Sequence, residues 1–245
     1  MQLYYIRHGQ SNNNALASQT QSNRGRHQDP ELTETGEQQA QHLAAFLSRP
    51  LTPIETANGD RQNVNGFGLT HIYSSLMVRA VATATAIGEA LGLPVQGMED
   101  LHEEWGIYLR DPETGERVGL PGKGRAYFEE CYPNFVIPED MNNSGWWNRP
   151  AEPVEARRPR AQRIVAEILE RHGGTDDRVA LVSHGGTYQH FMSIVLSLPP
   201  GEDNGLVPGL RFSLNNTGIT RIDWTDRTRI AYANRLDHLP RHLVT

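Results

Sequence analysis

The sequence has a single cysteine, Cys131. No disulfide can close within it, which fits a reducing compartment, and Cys131 reads as a small apolar filler. Long apolar runs are also missing: no stretch approaches the ~20 residues of a membrane-spanning helix. The first run, Leu3-Tyr4-Tyr5-Ile6, is cut short by Arg7, so nothing resembles a signal peptide. An excess of positive charge is missing too. Lys and Arg number 23 against 29 Asp and Glu, a net charge of -6. That speaks against nucleic acid as a partner, although a local arginine cluster can still serve a small anion. His102, His190, His238 and His242 form no ligand face and no H-E-x-x-H or Cys/His spacing occurs, so no metal is expected. The expectation is a cytoplasmic protein with no membrane partner. Its oligomeric state stays open, with a dimer possible.

What is there suits one α/β domain: 245 residues, 37% of them hydrophobic. Residues 3 to 6 predict a short buried strand, and the polar residues 10 to 31 predict a loop. Thr33 is a candidate N-cap for a helix carrying Ala40, Leu43, Ala44 and Leu47 on one face. Residues 50 to 68, rich in Pro and Gly, predict a surface loop. Leu69 to Tyr73 reads as a strand ending in Ser74-Ser75. A helix follows with Ala80, Ala84, Ile87 and Leu91 on one face and Gly92 as its stop. Val95 begins a third strand. Residues 105 to 155 are irregular and predict an inserted lid, whose Trp146 and Trp147 either line a substrate pocket or form the lid's core. A helix is predicted over 160 to 172, with Pro159 near its first turn. Val179 to Val182 is the most continuous apolar strand, and a helix from Thr187 to Leu198 follows it. Late strands are expected at 210 to 214, 218 to 224 and 228 to 233. Strands alternating with helices imply a mostly parallel central sheet.

In such sheets, ligands bind at the carboxyl ends of strands. Three ends stand out: Arg7-His8-Gly9, Ser74-Ser75 with Arg79 one turn on, and His184-Gly185-Gly186. Two arginines and two histidines converging on one crevice make a phosphate site. Each guanidinium offers a planar fork matched to phosphate oxygens. A neutral imidazole held between them is a competent nucleophile, because nearby positive charge keeps its proton off. Glycines beside both histidines let backbone N–H groups approach the oxygens. Ser75 reads better as a helix cap than as a pocket residue. Ser11 fits either role.

The stretches "IRHGQSNNN", "LTETGEQQA", "IYSSLMVRAVATA", "LHEEWG" and "LVSHGG", in that order, resemble the histidine phosphatase superfamily, also called phosphoglycerate mutase-like. "NNTGITRI" near 215 is a weaker late match. The resemblance implies a three-layer α/β/α fold and a small phosphorylated metabolite as substrate. It makes His8 the phosphorylated nucleophile and Arg7 and Arg79 the phosphate clamp. His184, with Gly185 beside it, becomes a second phosphate-pocket group, and Asn14 a further phosphate contact. Glu103 resembles the general acid. Gly106 follows it one residue sooner than the family pattern, so the neighbouring Glu104 stands as the alternative, the other carboxylate being a solvated loop charge. Arg24 and Arg26 are either substrate contacts or solvated charges. The implied activity is phosphomonoester hydrolysis through a phosphohistidine, with no cofactor. The alternatives are a mutase, which would need a 2,3-bisphosphoglycerate primer, and a silent phospho-ligand binding module.

Overall fold

Leu3, Tyr4, Tyr5 and Ile6 are all fully buried. An unbroken apolar run is what a strand covered on both faces requires. Burial of each such side chain contributes roughly 1.5–3 kcal/mol. In the computed structural model, which describes residues 1–21, 25–52, 60–202 and 206–245, these residues form β1 (Gln2–Arg7) near the middle of the sheet.

Along the chain follow α1 (Asn12–Thr20), α2 (Glu34–Leu47), β2 (His71–Ser74), α3 (Val78–Leu91) and β3 (Val95–Gly97). Then come β4 (Tyr108–Arg110), β5 (Arg117–Gly119), α4 (Arg125–Cys131), β6 (Phe135–Val136) and α5 (Val154–His172). The last elements are β7 (Arg178–Ser183), α6 (Gly185–Val195), β8 (Ile219–Trp224) and β9 (Thr228–Arg235). Seven strands form one sheet in the order β6-β3-β2-β7-β1-β8-β9, and β4 and β5 pair separately. The pairings from β6 to β1 are parallel, and β8 and β9 add antiparallel strands at one edge.

Helices cover both faces. Tyr4 and Ile6 pack with Leu43 and Leu47 of α2 and Ala80, Ala84 and Ile87 of α3. Leu3 and Tyr5 pack with Ile164 and Ile168 of α5 and Tyr188 and Phe191 of α6. The result is the expected three-layer α/β/α arrangement. The connection after β7 leads to one face, whereas those after β1 and β2 lead to the other. A crevice therefore opens at the carboxyl end of β7, where neighbouring connections diverge. Register places Arg7 opposite Ser183, and Ser74 opposite Val182.

Several expectations are corrected. Residues 12–20 are helical, because Ser11 and Asn14 form a capping box that starts α1 without any apolar stripe. Residues 210–214 form no strand: the Phe212 N–H is taken by Gln189 Oε1 (2.9 Å) and the Leu214 carbonyl by Arg7 Nη1 (2.8 Å). Helix α5 starts at Val154, leaving Pro159 inside it. Its early turns are hidden from hydropathy because Arg157 and Arg160 occupy buried positions. Helix α6 begins at Gly185 and ends at Val195, earlier at both ends than expected. Cys131 is exposed, so filling apolar space is not its role. Trp146 and Trp147 belong to the core on the α2/α3 side, and Trp147 also borders a cavity with His102, Arg149 and Glu152, away from His8. No helix among the described residues is long and apolar enough to cross a membrane.

Candidate active site

His8 lies one residue past β1 and is 2% exposed. Its Nδ1 stands 2.6 Å from the carbonyl oxygen of Gly9. A carbonyl only accepts, so the ring proton sits on Nδ1 and Nε2 keeps its lone pair. Arg79 Nε donates to that Nε2 at 3.1 Å. Burial first, then the charges of Arg79 and Arg7, hold the imidazole well below its ordinary pKa. The ring is thus neutral, oriented and next to a cation.

Arg79 is the second residue of α3 and is buried. Its Nη1 lies 3.7 Å from Asp29 Oδ1. Asp29 also accepts from the Val78 N–H at 3.2 Å, while its Oδ2 is buried with no partner. Burial pushes the Asp29 carboxyl up to about 6, against the pull of Arg79. Arg7 is anchored through Nη1 on the Leu214 carbonyl, and its Nε has no partner.

His184 faces His8 with ring centroids 5.0 Å apart. Ser75 Oγ accepts from the Met77 N–H (3.2 Å) and stands 2.9 Å from His184 Nε2. With the serine proton given to Nε2, the imidazole proton is left on Nδ1, which is buried and unpartnered. Ser75 is therefore a pocket residue, contrary to its expected role as a cap; the α3 cap position is Met77 and has no side-chain bond. Burial, then Arg79, keep His184 neutral as well.

The two candidate acids separate clearly. Glu103 accepts N–H bonds from Gly186 (3.2 Å), Thr187 (3.1 Å) and Glu104 (2.9 Å). Its carboxylate sits at the start of α6, where helix N–H groups lack internal partners. Its charge is felt by both Arg7 and Arg79. Glu104 instead binds His190 Nε2 (3.1 Å) and Arg157 Nη1 (3.1 Å). Burial alone would raise its pKa, but those two partners outweigh it and lower the carboxyl. Glu104 is thus a structural ion pair, not a solvated charge.

Glycine serves packing here more than phosphate approach. A Cβ on Gly186 would stand 2.4 Å from Glu103 Oε1, and one on Gly9 2.5 Å from the Gly36 carbonyl. The Gly9 N–H is spent on Thr83 Oγ1 (3.0 Å), which corrects its expected role as a phosphate donor. Gly185 opens α6, and its N–H remains available because Glu103 takes the next two.

Asn14 is half-buried, with Oδ1 committed to the cap (Ser11 N–H, 3.1 Å) and its amide left for a ligand. Arg26 stacks on Tyr108, 4.2 Å from the ring centroid, and hydrogen-bonds its hydroxyl. Arg117 lies 5.6 Å from the same ring and 3.6 Å from that of Trp105. Arg24 lies outside the described residues.

Four residues support this site, and two of them, Asp29 and Arg160, carry no local signal in the sequence. Besides Asp29 and Ser75, Asn216 donates to the His8 carbonyl (2.9 Å). Arg160, buried on a bidentate pair with Glu152 (2.6 and 3.0 Å), donates to the carbonyls of Asp100 (2.7 Å) and His102 (2.9 Å). It thereby holds the backbone just before Glu103.

The profile of the histidine phosphatase superfamily (branch 1) matches residues 3–234. A probable phosphoglycerate mutase, GpmB, of Salmonella arizonae is 28% identical over 94% of this chain and 88% of its own length. Among solved structures, a phosphoserine phosphatase of Entamoeba histolytica in complex with 3-phosphoglyceric acid superposes with TM-score 0.58. It is 22% identical and covers 98% of this chain and 99% of its own. A mycobacterial glucosyl-3-phosphoglycerate phosphatase gives TM-score 0.54 at 23% identity, over 95% of this chain and 98% of its own. Those two share the fold, and the family match covers nearly every element that builds the crevice: the chain belongs to the histidine phosphatase superfamily.

Proposed function

We propose that this chain is a phosphatase that hydrolyses small phosphomonoesters through a phosphohistidine on His8, with no metal ion. The observation that carries this reading is the state of His8: Nε2 unprotonated, Nδ1 tied to Gly9, and a guanidinium 3.1 Å from the lone pair. A phosphoryl group entering between His8 and Arg79 meets donors from Arg7, Arg79, His184 Nδ1, the Gly185 N–H and the Asn14 amide. Nε2 attacks phosphorus in line, and the ester P–O bond breaks. Glu103, which takes up a proton before turnover, gives it to the departing alcohol. Water then loses a proton to Glu103 and attacks phosphorus, releasing phosphate and regenerating His8. Phosphoryl transfer has a loose transition state, so positioning and charge stabilisation do most of the work.

Arg26 and Arg117 flank one aromatic ring, and neither has a carboxylate partner among the described residues. They favour an ester carrying a second negative group. That fits the phosphoserine phosphatase and the glucosyl-3-phosphoglycerate phosphatase found among the structural neighbours. The second reading is a mutase, favoured by the name of the curated relative. It uses the same pocket but returns the phosphoryl group before water arrives.

Phosphate release from a panel of esters in EDTA tests both. Release without metal, with phosphoserine and phosphoglycerate ahead of neutral esters, is the expected result. Isomerisation of 3-phosphoglycerate that needs 2,3-bisphosphoglycerate and outpaces release would replace the phosphatase reading with the mutase one.

A further inference from the structure

At the end of the sheet opposite His8, three ligating side chains meet. His71 begins β2, His172 ends α5, and Asp177 immediately precedes β7. One ligating atom from each lies within 4.8 Å of the others. The two imidazole rings stand 4.5 Å apart. His172 Nδ1 is 2.9 Å from Asp177 Oδ2, and His71 Nδ1 is 3.9 Å from Asp177 Oδ1.

The surroundings orient these groups. His172 Nε2 meets the buried Tyr73 hydroxyl at 2.9 Å. A partner on the far nitrogen is how a metal-bound imidazole is held in one tautomer and one orientation. Asp177 only accepts, so without an ion the His172 proton sits on Nδ1 and the Tyr73 hydroxyl donates to Nε2; a bound ion would take the Nδ1 lone pair in the other tautomer, with Nε2–H given to Tyr73. Thr175 Oγ1 donates to the His172 carbonyl (2.8 Å) and accepts from the Asp177 N–H (3.1 Å), fixing the turn between two of the three ligands. The His172 side chain is 5% exposed, whereas those of His71 and Asp177 are 35% and 28% exposed. The cluster thus has a buried base and an open mouth.

We propose that His71, His172 and Asp177 form a binding site for one divalent transition-metal ion, with Zn²⁺ the best match and water completing the tetrahedron. Two imidazole nitrogens and one carboxylate oxygen suit Zn²⁺. Ca²⁺ and Mg²⁺ favour all-oxygen sites. Closing bonds of about 2.0–2.2 Å would draw His71 Nδ1 away from its present partner, Thr70 Oγ1 at 2.9 Å. The ion would staple the start of β2 to the end of α5 and the approach to β7. It would take no part in turnover, because His71 and Ser74 stand at opposite ends of the same strand, roughly 10 Å apart at a strand's rise per residue. The contrasting account is an ordinary His–Asp hydrogen bond at a helix end.

Calorimetric titration with Zn²⁺ after EDTA treatment and desalting separates the two. His8→Ala serves as background, so that uptake by the catalytic histidines does not count. Expected is one equivalent with micromolar or tighter Kd in both wild type and His8→Ala. In His71→Ala and in the double variant His8→Ala/His71→Ala, binding at this site falls at least tenfold. His71→Ala keeps wild-type phosphate release and, without metal, its wild-type Tm, since His71 is partly exposed. Co²⁺ should give tetrahedral absorption bands that His71→Ala loses. Absence of Zn²⁺ uptake by His8→Ala, or equal uptake by the double variant, would overturn the proposal. His172→Ala is avoided because it strips a buried hydrogen bond from Tyr73.

Discussion

A single nitrogen decides the chemistry at the residue scale. His8 Nε2 keeps the free lone pair that the proposed nucleophile needs, because its sister nitrogen is occupied and because burial and two arginines disfavour imidazolium. His8→Ala should reduce phosphate release by about a thousandfold or more, the order by which loss of a catalytic nucleophile is felt; steady-state kinetics on the preferred ester checks this. The depressed pKa also has a sign. Nε2 stays unprotonated below the ordinary histidine value of ~6.5, so kcat/KM should hold between pH 6.5 and 5.5 rather than fall about fivefold. A pH profile showing an acid limb at the ordinary value would contradict it. Glu103→Gln should cost about 10²–10⁴ in kcat on alkyl esters, and much less on p-nitrophenyl phosphate, whose leaving group needs no proton. Glu104→Gln should show no such dependence on the leaving group, since that carboxylate is held by His190 and Arg157.

At the scale of elements, close approaches between loops and helix starts matter most. The first turn of α2 abuts the loop after His8 so closely that a Cβ on Gly36 would stand 2.0 Å from the Gln10 carbonyl. Backbone cannot move aside as a side chain can. Gly36→Ala should therefore destabilise by about 3 kcal/mol, the upper part of the range for overpacking, with activity falling as the loop shifts; denaturant unfolding gives the magnitude. Gly106 has φ of +69°, and a Cβ there would meet the Trp147 ring at 2.1 Å. The tryptophan pair thus fixes the turn that follows Glu103. Helix α1 has no buried residue and is held by its cap and by Asn13, whose side chain bonds the His27 backbone at both ends (2.7 and 2.9 Å). Ser11→Ala should cost about 1 kcal/mol and raise KM by freeing Asn14, with kcat largely kept.

The whole molecule carries opposing proton linkages. His8, His102 and His184 are held well below their ordinary values, first by burial, and burial lowers His238 to about 4. In the unfolded chain each takes up a proton near 6.5. The unfolded state then binds more protons than the folded one, so their contribution is whole above pH 6.5 and is lost as pH falls toward the folded values. Asp29 runs the other way: raised to about 6, it stabilises at low pH and loses that contribution as pH rises through 6. Four histidines outweigh one carboxyl. Tm should be higher at pH 8 than at pH 5; equal values at the two would refute this balance.

Strand ends and their chemistry were legible in the amino-acid order. An apolar run must stop where the chain leaves the sheet, and the residue types at three such stops already pointed to the phosphate site proposed above. Thr33 and Gly92 marked helix ends because capping and left-handed backbone are local needs. Helix α1 was not legible: polar residues held by a capping box leave no periodic pattern. The start of α5 was hidden by buried arginines, whose partners, Glu104 for Arg157 and Glu152 for Arg160, lie in segments outside that helix. The choice between Glu103 and Glu104 belongs wholly to tertiary structure. They are adjacent and chemically alike, and only the start of α6 beside one and His190 and Arg157 beside the other set them apart. Sequence by itself determined the mostly parallel sheet, through periodicity, the two arginines and two histidines at its strand ends, through residue type, and, by the resemblance of its motifs, the family and its three layers. Tertiary structure alone decided their protonation, their orientation and their supports, Asp29, Ser75, Asn216 and Arg160, because burial and contacts between distant segments exist only once the chain has folded.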